Sequence, residues 1–532
     1  MTVSSRTGAG GGTPSRDPRR FSAADAALIG GGALITALVA AAATRKPLYA
    51  LALLVVLAVV ATVLLGRERL ARARAGSVVT ALVVSLPVLA LLGPSFALPV
   101  APQAFLFRVV LAIVVYTGVL YLLLRHDPMP FAAKDLLLPG VLWFAWLLLS
   151  TVWAADKAAA LHYISIVVTM VAVLLATAAA GGTRRRLVWF GSTMILGYFF
   201  IAGFTIVEAR LGIRLPTSRL LTAVTSQTYA VTSVFVNQND FATYVALCWP
   251  FMLCAFFFTR RLRWLTLTVL FMLIGAYGFV HTGSRSSLVA AGISSLAAVA
   301  LFWHLAPKLS SRTGKVVTAV VVIALTAVAG WLLFNNSSSD MLRQFRLEAL
   351  LNQAQQNKGS GAIRSDLTSR GLEIAGSSHL LGAGAGQAEV IIGSGTNALG
   401  ITNLHNWWLE TYVDGGLVGF ALHFVFFWLL VFALWPIARR DPDPLTRYLA
   451  CGTWLALLGW IVGSVGPSSS VSFAPMWILY GLALAVVSRA RLAARERALA
   501  DAGAGTGDEV RAGAAGAGVA GPGADGAAET AA

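Results

Sequence analysis

Long apolar runs, interrupted at regular intervals by short polar stretches, set the rhythm of this chain. Crossing roughly 30 Å of hydrocarbon takes about 20 mostly apolar residues, and runs of that kind recur about fourteen times. They fall near 26–43, 48–66, 77–92, 105–124, 136–153, 160–180, 187–207, 240–258, 262–280, 286–305, 315–334, 416–437, 446–465 and 473–489. One connection, 335–403 after the eleventh run, is far longer than the others. Inside it, 339–356 ("SDMLRQFRLEALLNQAQQ") gathers Met341, Leu342, Phe345 and Leu350 on one side, which predicts an amphipathic helix at the membrane surface or over a cavity. The pattern therefore predicts an all-α polytopic membrane protein of about 12–14 transmembrane helices, with its one long loop between the eleventh and twelfth spans.

The same reading divides the chain. Residues 1–22 are polar and Gly/Arg-rich and are expected to be disordered, and 23–134 hold N-terminal spans. Residues 135–334 and 404–490 are expected to form the two parts of a transmembrane core around the extracytoplasmic loop 335–403, and 491–532 to be a disordered cytoplasmic tail, Ala/Gly low-complexity from about 498. The first apolar run follows no A-x-A-like processing site, so it is expected to stay as an anchor.

Composition agrees: 57% of the 532 residues are hydrophobic and only 12% are charged, too apolar for a soluble chain of this length. The net charge of +17 raises nucleic-acid binding. The basic residues, however, sit in short clusters between apolar runs, as orienting charges do in membrane proteins. Basic groups follow every even-numbered span: Arg67 to Arg74, Arg125 with Lys134, Arg184 to Arg186, Arg260 to Arg263, Lys308 to Lys315, Arg439 with Arg440, and Arg489 to Arg497. Both termini are thus expected to be cytoplasmic. Cys248, Cys254 and Cys451 lie in apolar spans without metal-ligand spacing, so neither a disulfide framework nor a zinc site is indicated.

Against that alternation, several arginines stand on the outer side. Arg210, Arg214 and Arg219 follow span seven, and Arg285 sits in the short turn "HTGSRSS". Arg343, Arg346, Lys358, Arg364 and Arg370 lie in the long loop, balanced by Asp340, Glu348, Asp366, Glu373 and Glu389. Arginine suits forked recognition of phosphate oxygens. Near a helix end it also snorkels to lipid phosphates, and both readings stand for Arg210 and Arg285. The run "GAGAGQAE" (382–389) has no preceding strand and no following Lys-Ser/Thr, so it reads as a flexible turn rather than a nucleotide loop.

Polar residues also collect where spans begin. "VFVNQNDFATY" sets Asn237, Asn239 and Asp240 at the outer entrance of span eight. One of them suffices for a helix cap, so the rest are expected to line a polar cavity. "HTGSRSS" joins a turn to a helix start at Ser284 or Ser286, where free N–H groups favour an anion. Among the seven histidines, His162, His304 and His423 sit in or beside apolar spans, which favours packing, and His126 faces the cytoplasm. His281 adjoins the Arg285 turn and is a secondary candidate.

His405 alone is followed at once by an amide, two tryptophans and a carboxylate. If 402–413 is helical, His405, Trp408 and Leu409 share a face. Trp407 and Trp408 suit an interfacial aromatic belt, which sets His405 at headgroup depth. A histidine there is suited to taking a proton from an incoming hydroxyl, and packing and catalysis both remain open for it at this point.

Taken together, "VFVNQNDFA", "TGSRSS", the long outer loop, and "HN" followed by nine residues and Gly416-x-x-Gly419 resemble the O-antigen ligase and polymerase superfamily. The resemblance runs from about 150 to 425 and includes "TVWAADKAAALHY" (151–163), which looks like the family's outer turn between two early spans. It implies an outer-face glycosyltransferase moving a glycan from a polyprenyl pyrophosphate carrier to an acceptor, either a glycan or a lipid, in the bilayer. No nucleotide, cofactor or metal is implied. It assigns His405 as the base on the acceptor hydroxyl and Arg285 as a pyrophosphate-binding cation. Arg210 is the second family arginine, although "EARLGIR" is a loose motif in which Arg214 can take that place. Asn237, Asn239 and Asn406 would orient sugar or phosphate groups, and Arg364 and Arg370 would gate the loop. The chain departs from the family in having Gln238, where a proline often separates the two asparagines. Ligase and polymerase share these motifs. A flippase or transporter would spread charges through several spans, whereas Arg108 is the one clear mid-span charge, and a receptor or scaffold would leave the polar patches unexplained.

Overall fold

A computed structural model describes residues 86–93, 97–98, 101–105, 131–221, 230–259, 261–305, 359–378, 380–394 and 402–516, with isolated positions between 316 and 352. All belong to one compact unit, Gly76–Val115 with Asp127–Ala532. The first two predicted spans, most of the fourth, and the surface helix expected at 339–356 lie outside the described residues.

Helices dominate: α1 (Lys134–Ser150), α2 (Lys157–Ala179), α3 (Arg184–Leu211), α4 (Gln238–Phe258), α5 (Leu262–Thr282) and α6 (Arg285–Val299). After them come α7 (Gly359–Ser377), α8 (Gln387–Ser394), α9 (Trp407–Arg440), α10 (Pro444–Gly463) and α11 (Ala474–Gly516). A small antiparallel hairpin, β1 (Ala97–Leu98) with β2 (Ala101–Phe105), precedes them. Among the described residues, 8 helices are long and apolar enough to span a membrane, and each coincides with a run expected from the sequence. The run at 136–153 is α1, which at 17 residues falls short of that length.

Caps written into the sequence fix where the helices begin. The side chains of Asp156, Thr183, Asn237, Asn406 and Asp443 accept backbone N–H groups in the first turns of α2, α3, α4, α9 and α10. Small residues then let helices close on one another, as membrane packing requires. A Cβ at Gly181 would meet the backbone of Ala485, and one at Gly481 would meet Leu174 and Thr177, so α11 lies hard against α2 and the turn after it. The spans of α4 and α11 are 78% buried, against 33% for α3 and α5, so the former pair lies deeper among the described helices.

The extramembrane α7 and α8 pack on the start of α9 through a separate apolar cluster of Leu367, Ala375, Ala388, Ile392, Leu404, Leu409 and Val413. Neither helix was expected from the sequence.

Candidate active site

The segment around His405 is not continuous helix from 402, because α9 starts at Trp407 behind the Asn406 cap. His405 stands just outside it with a left-handed φ of 51°, uncommon for a non-glycine residue. That conformation turns the imidazole toward the loop between α10 and α11, where Nδ1 lies 3.1 Å from the carbonyl oxygen of Pro467. A carbonyl only accepts, so Nδ1 carries the proton and the lone pair is on Nε2.

The same loop ties several elements together. Ser464 O accepts from the Trp407 backbone N–H at 3.3 Å. The Ser468 backbone N–H donates to Asp240 Oδ1 at 2.8 Å, and its hydroxyl to Asp240 Oδ2 at 3.0 Å. Asp240, in the first turn of α4, thus holds by its N–H end the same peptide group whose carbonyl orients His405.

Three arginines converge on this end of the bundle. Arg364 on α7 is close enough for its charge to act on both His405 and Arg285, and the charge of Arg219 reaches His405 and Asp240. Arg285 is the first residue of α6, with Ser284 as the N-cap. A chain of hydroxyls links the starts of the two helices. Ser284 Oγ lies 3.0 Å from Ser287 Oγ, which lies 3.2 Å from Thr243 Oγ1, and Thr243 donates to the Asn239 carbonyl at 2.8 Å. Asn237 is the α4 cap through Oδ1, 2.9 Å from the Asn239 N–H. Its Nδ2 is buried without a hydrogen-bond partner among the described residues, so Asn237 keeps donors in reserve beyond its capping duty.

Other expected site residues are placed differently. Asn406 spends its side-chain oxygen on the α9 cap, accepting from Leu409 N at 3.3 Å. Arg214 is turned into its own loop, donating to the carbonyls of Leu220 and Ala230 and lying 3.8 Å from Glu208. Arg210 is exposed on the last turn of α3 and makes no hydrogen bond or ion pair among the described residues. Arg370 pairs with Asp366 at 3.0 Å on α7. His281 rests on the Tyr277 ring, centroids 4.0 Å apart. Arg219 enters the group although the sequence reading gave it no role there, and Asp240, expected only to line a polar cavity, enters it as the carboxylate that binds Ser468. The acidic start of α4 was visible, but nothing local says that Arg219 faces it.

Two expectations about this segment are overturned. Trp407 is not a belt residue: it is fully buried and donates from Nε1 to His423 Nε2 at 2.8 Å, while Trp408 donates inward to Ile461 O at 3.1 Å. Nor is "GAGAGQAE" a flexible turn. Ala383 N–H and Gly384 N–H donate to the carbonyls of Val413 and Asp414, and Ala388 N–H donates to Asp414 Oδ1 at 2.8 Å. Gln387 and Ser150 bind the turn to the α1–α2 connection through Asp156 and Ala385. The receiving surface exists because α9 breaks at Gly416, with φ 64° and ψ −166°, where a Cβ would collide with the Leu380 and Leu381 backbone.

Burial holds His405 below the ordinary histidine range, the charges of Arg364 and Arg219 push the same way, and the Pro467 carbonyl pulls it back up. The ring is therefore neutral around pH 7. Any activity that needs neutral His405 should show an acid limb below about 6.5. Arg364→Gln removes one depressing charge and should move that limb upward in a pH profile of kcat/KM, whatever it does to the plateau. A limb that stays put or moves down would rule out this electrostatic account.

A polytopic helical bundle with a histidine and convergent arginines at one end fits the class to which the chain is matched. Residues 270–424, which include Arg285, Arg364, His405 and Gly416, match the family model described as O-Antigen ligase. The chain is similar to the teichuronic acid biosynthesis protein TuaE of Bacillus subtilis (strain 168), 24% identical over 362 residues that cover 67% of this chain and 72% of that protein.

Proposed function

We propose that the protein is an outer-face glycosyltransferase of cell-envelope polysaccharide assembly. It moves a glycan from a polyprenyl pyrophosphate carrier to an acceptor hydroxyl on a glycan or lipid, with both chain termini on the cytoplasmic side. The observation that carries this reading is His405 itself, with Nδ1 engaged by the Pro467 carbonyl, Nε2 left as the basic atom, and the charge of two arginines acting on the ring.

In the reaction, Nε2 takes the proton of the acceptor hydroxyl as its oxygen bonds to the anomeric carbon of the donor. The bond from that carbon to the pyrophosphate oxygen breaks, and the electron pair leaves on the polyprenyl pyrophosphate. Arg285 and Arg364, with Arg219 behind them, hold the developing negative charge, a contribution of several kcal/mol in a site poor in water. Asn237 and Asn239 orient the sugar or phosphate oxygens at the mouth of α4. Arg214 supports the site by shaping the loop that carries Arg219. Arg210 remains a candidate for the second pyrophosphate cation only if the donor itself brings it inward. The reading calls on no nucleotide and no metal ion.

Deleting the gene and sizing the lipid-linked glycan tests the reading. Full-length polymer stranded on the lipid is the result expected of a ligase, and single repeats would assign the protein as a polymerase. An unchanged glycan profile would overturn both.

A further inference from the structure

A second feature lies apart from His405 and does not depend on the transfer reaction. A cavity of about 460 Å³ opens between α3, α4, α5, α10 and α11, with walls that include Met194, Met252, Phe258, Trp264 and Tyr448. None of His405, Arg285, Arg364 or Asn237 lines it. Its size falls in the range of small-molecule sites, about 300–1,000 Å³. Its walls are almost wholly apolar, so hydrocarbon is a far better occupant than water.

Charge at the rim narrows the choice of occupant. The Arg447 guanidinium stands 5.4 Å from the Phe258 ring centroid, and that of Arg263 stands 5.6 Å from the Trp264 ring centroid. Both rings are part of the cavity wall. Arg447 Nε is buried without a hydrogen-bond partner among the described residues. The nearby carboxylate of Asp443 is already engaged, accepting from Thr446 and pairing with Arg184 at 3.4 Å. Arg184, Arg439 and Arg440 border the same end of the bundle, where α3 begins and α9 ends. Basic pockets between transmembrane helices favour anionic lipid headgroups.

We propose that this cavity is a binding site for an anionic phospholipid of the adjoining leaflet, with an acyl chain among α3, α4, α5, α10 and α11 and its phosphate held by Arg263 and Arg447. The probes are phosphatidylglycerol and phosphatidylcholine, added to delipidated full-length protein in neutral detergent, with thermal unfolding and mass spectrometry of retained lipid as readouts. Phosphatidylglycerol should raise Tm and stay bound at one per chain, and phosphatidylcholine should do neither. Arg263→Gln and Arg447→Gln should each weaken phosphatidylglycerol binding on the order of five-fold. Arg185→Gln, an exposed charge at the same end, should leave it unchanged. Cys248→Trp, or Met194→Phe if that variant does not fold, should exclude the chain while both arginines remain. Equal stabilisation by phosphatidylcholine, undiminished binding in the double arginine variant, or recovery of a polyprenyl phosphate as the retained lipid would each overturn the proposal.

Discussion

His405→Asn is expected to yield a protein that inserts and folds like the parent but transfers glycan 10²–10⁴-fold more slowly, the usual contribution of a positioned general base. Asparagine suits the test for two structural reasons. It tolerates the left-handed backbone found at 405 better than other non-glycine residues. Its Nδ2 can also donate to the Pro467 carbonyl as Nδ1 does now, so the anchor survives while nothing basic occupies the Nε2 position. Donor binding should change little, because the arginines are untouched. The measurement is release of polyprenyl pyrophosphate from a defined donor by purified protein, with Tm recorded in parallel. Activity within ten-fold of the parent would leave His405 as an organising residue and remove it as the base.

The second large effect is expected at Gly416. Its backbone conformation is essentially confined to glycine, and an added Cβ meets the Leu380 carbonyl, which accepts the Leu417 N–H at 2.8 Å. Strain alone costs about 1–3 kcal/mol. Relieving the collision means lifting the 380–388 turn, and with it the cover that α7, which carries Arg364, and α8 form over the start of α9. Gly416→Ala should therefore lower Tm and expose 380–388 to protease, and it should lose activity through misplacement of the cover. Gly419→Ala is the comparison: its Cβ would meet Trp146 Cδ1 at 3.2 Å, a side chain able to give way, and the loss should be much smaller. If the two variants unfold at the same temperature, the break at Gly416 is not what holds the cover down.

The spans were legible because hydrocarbon thickness demands a run of apolar residues that no soluble packing pattern imitates. The start of α4 was legible for a similar reason, since an unsatisfied N-terminus selects a short list of caps and Asn237 is on it. The start of α9 behind Asn406 was missed because helix was expected from 402. Convergence was harder to read. Arg219, Arg364 and His405 lie far apart in sequence, and only the docking of α7 on α9 brings the latter two together. That docking could have been sought in Ile363, Leu367, Ile374 and Ala375, whose separations of four, seven and eight fall on one helical face, but the surrounding Gly and Ser residues dilute the signal. Trp407 misled because an aromatic at the end of a span suits both a lipid interface and a core. Only the His423 ring, 16 positions along the chain, decides for the core.

The group that orients His405 belongs to the main chain. A carboxylate in that place could be exchanged for an amide by one substitution, and the imidazole could then flip its proton to the other nitrogen. The carbonyl at 467 is supplied by any amino acid whatever, so no replacement of that side chain deletes it. Sequence drift in the 464–470 segment can alter how firmly the ring is held, through Asp240 and Ser468, without reversing which nitrogen carries the lone pair. The tautomer is thus insulated from mutation at the very position that enforces it.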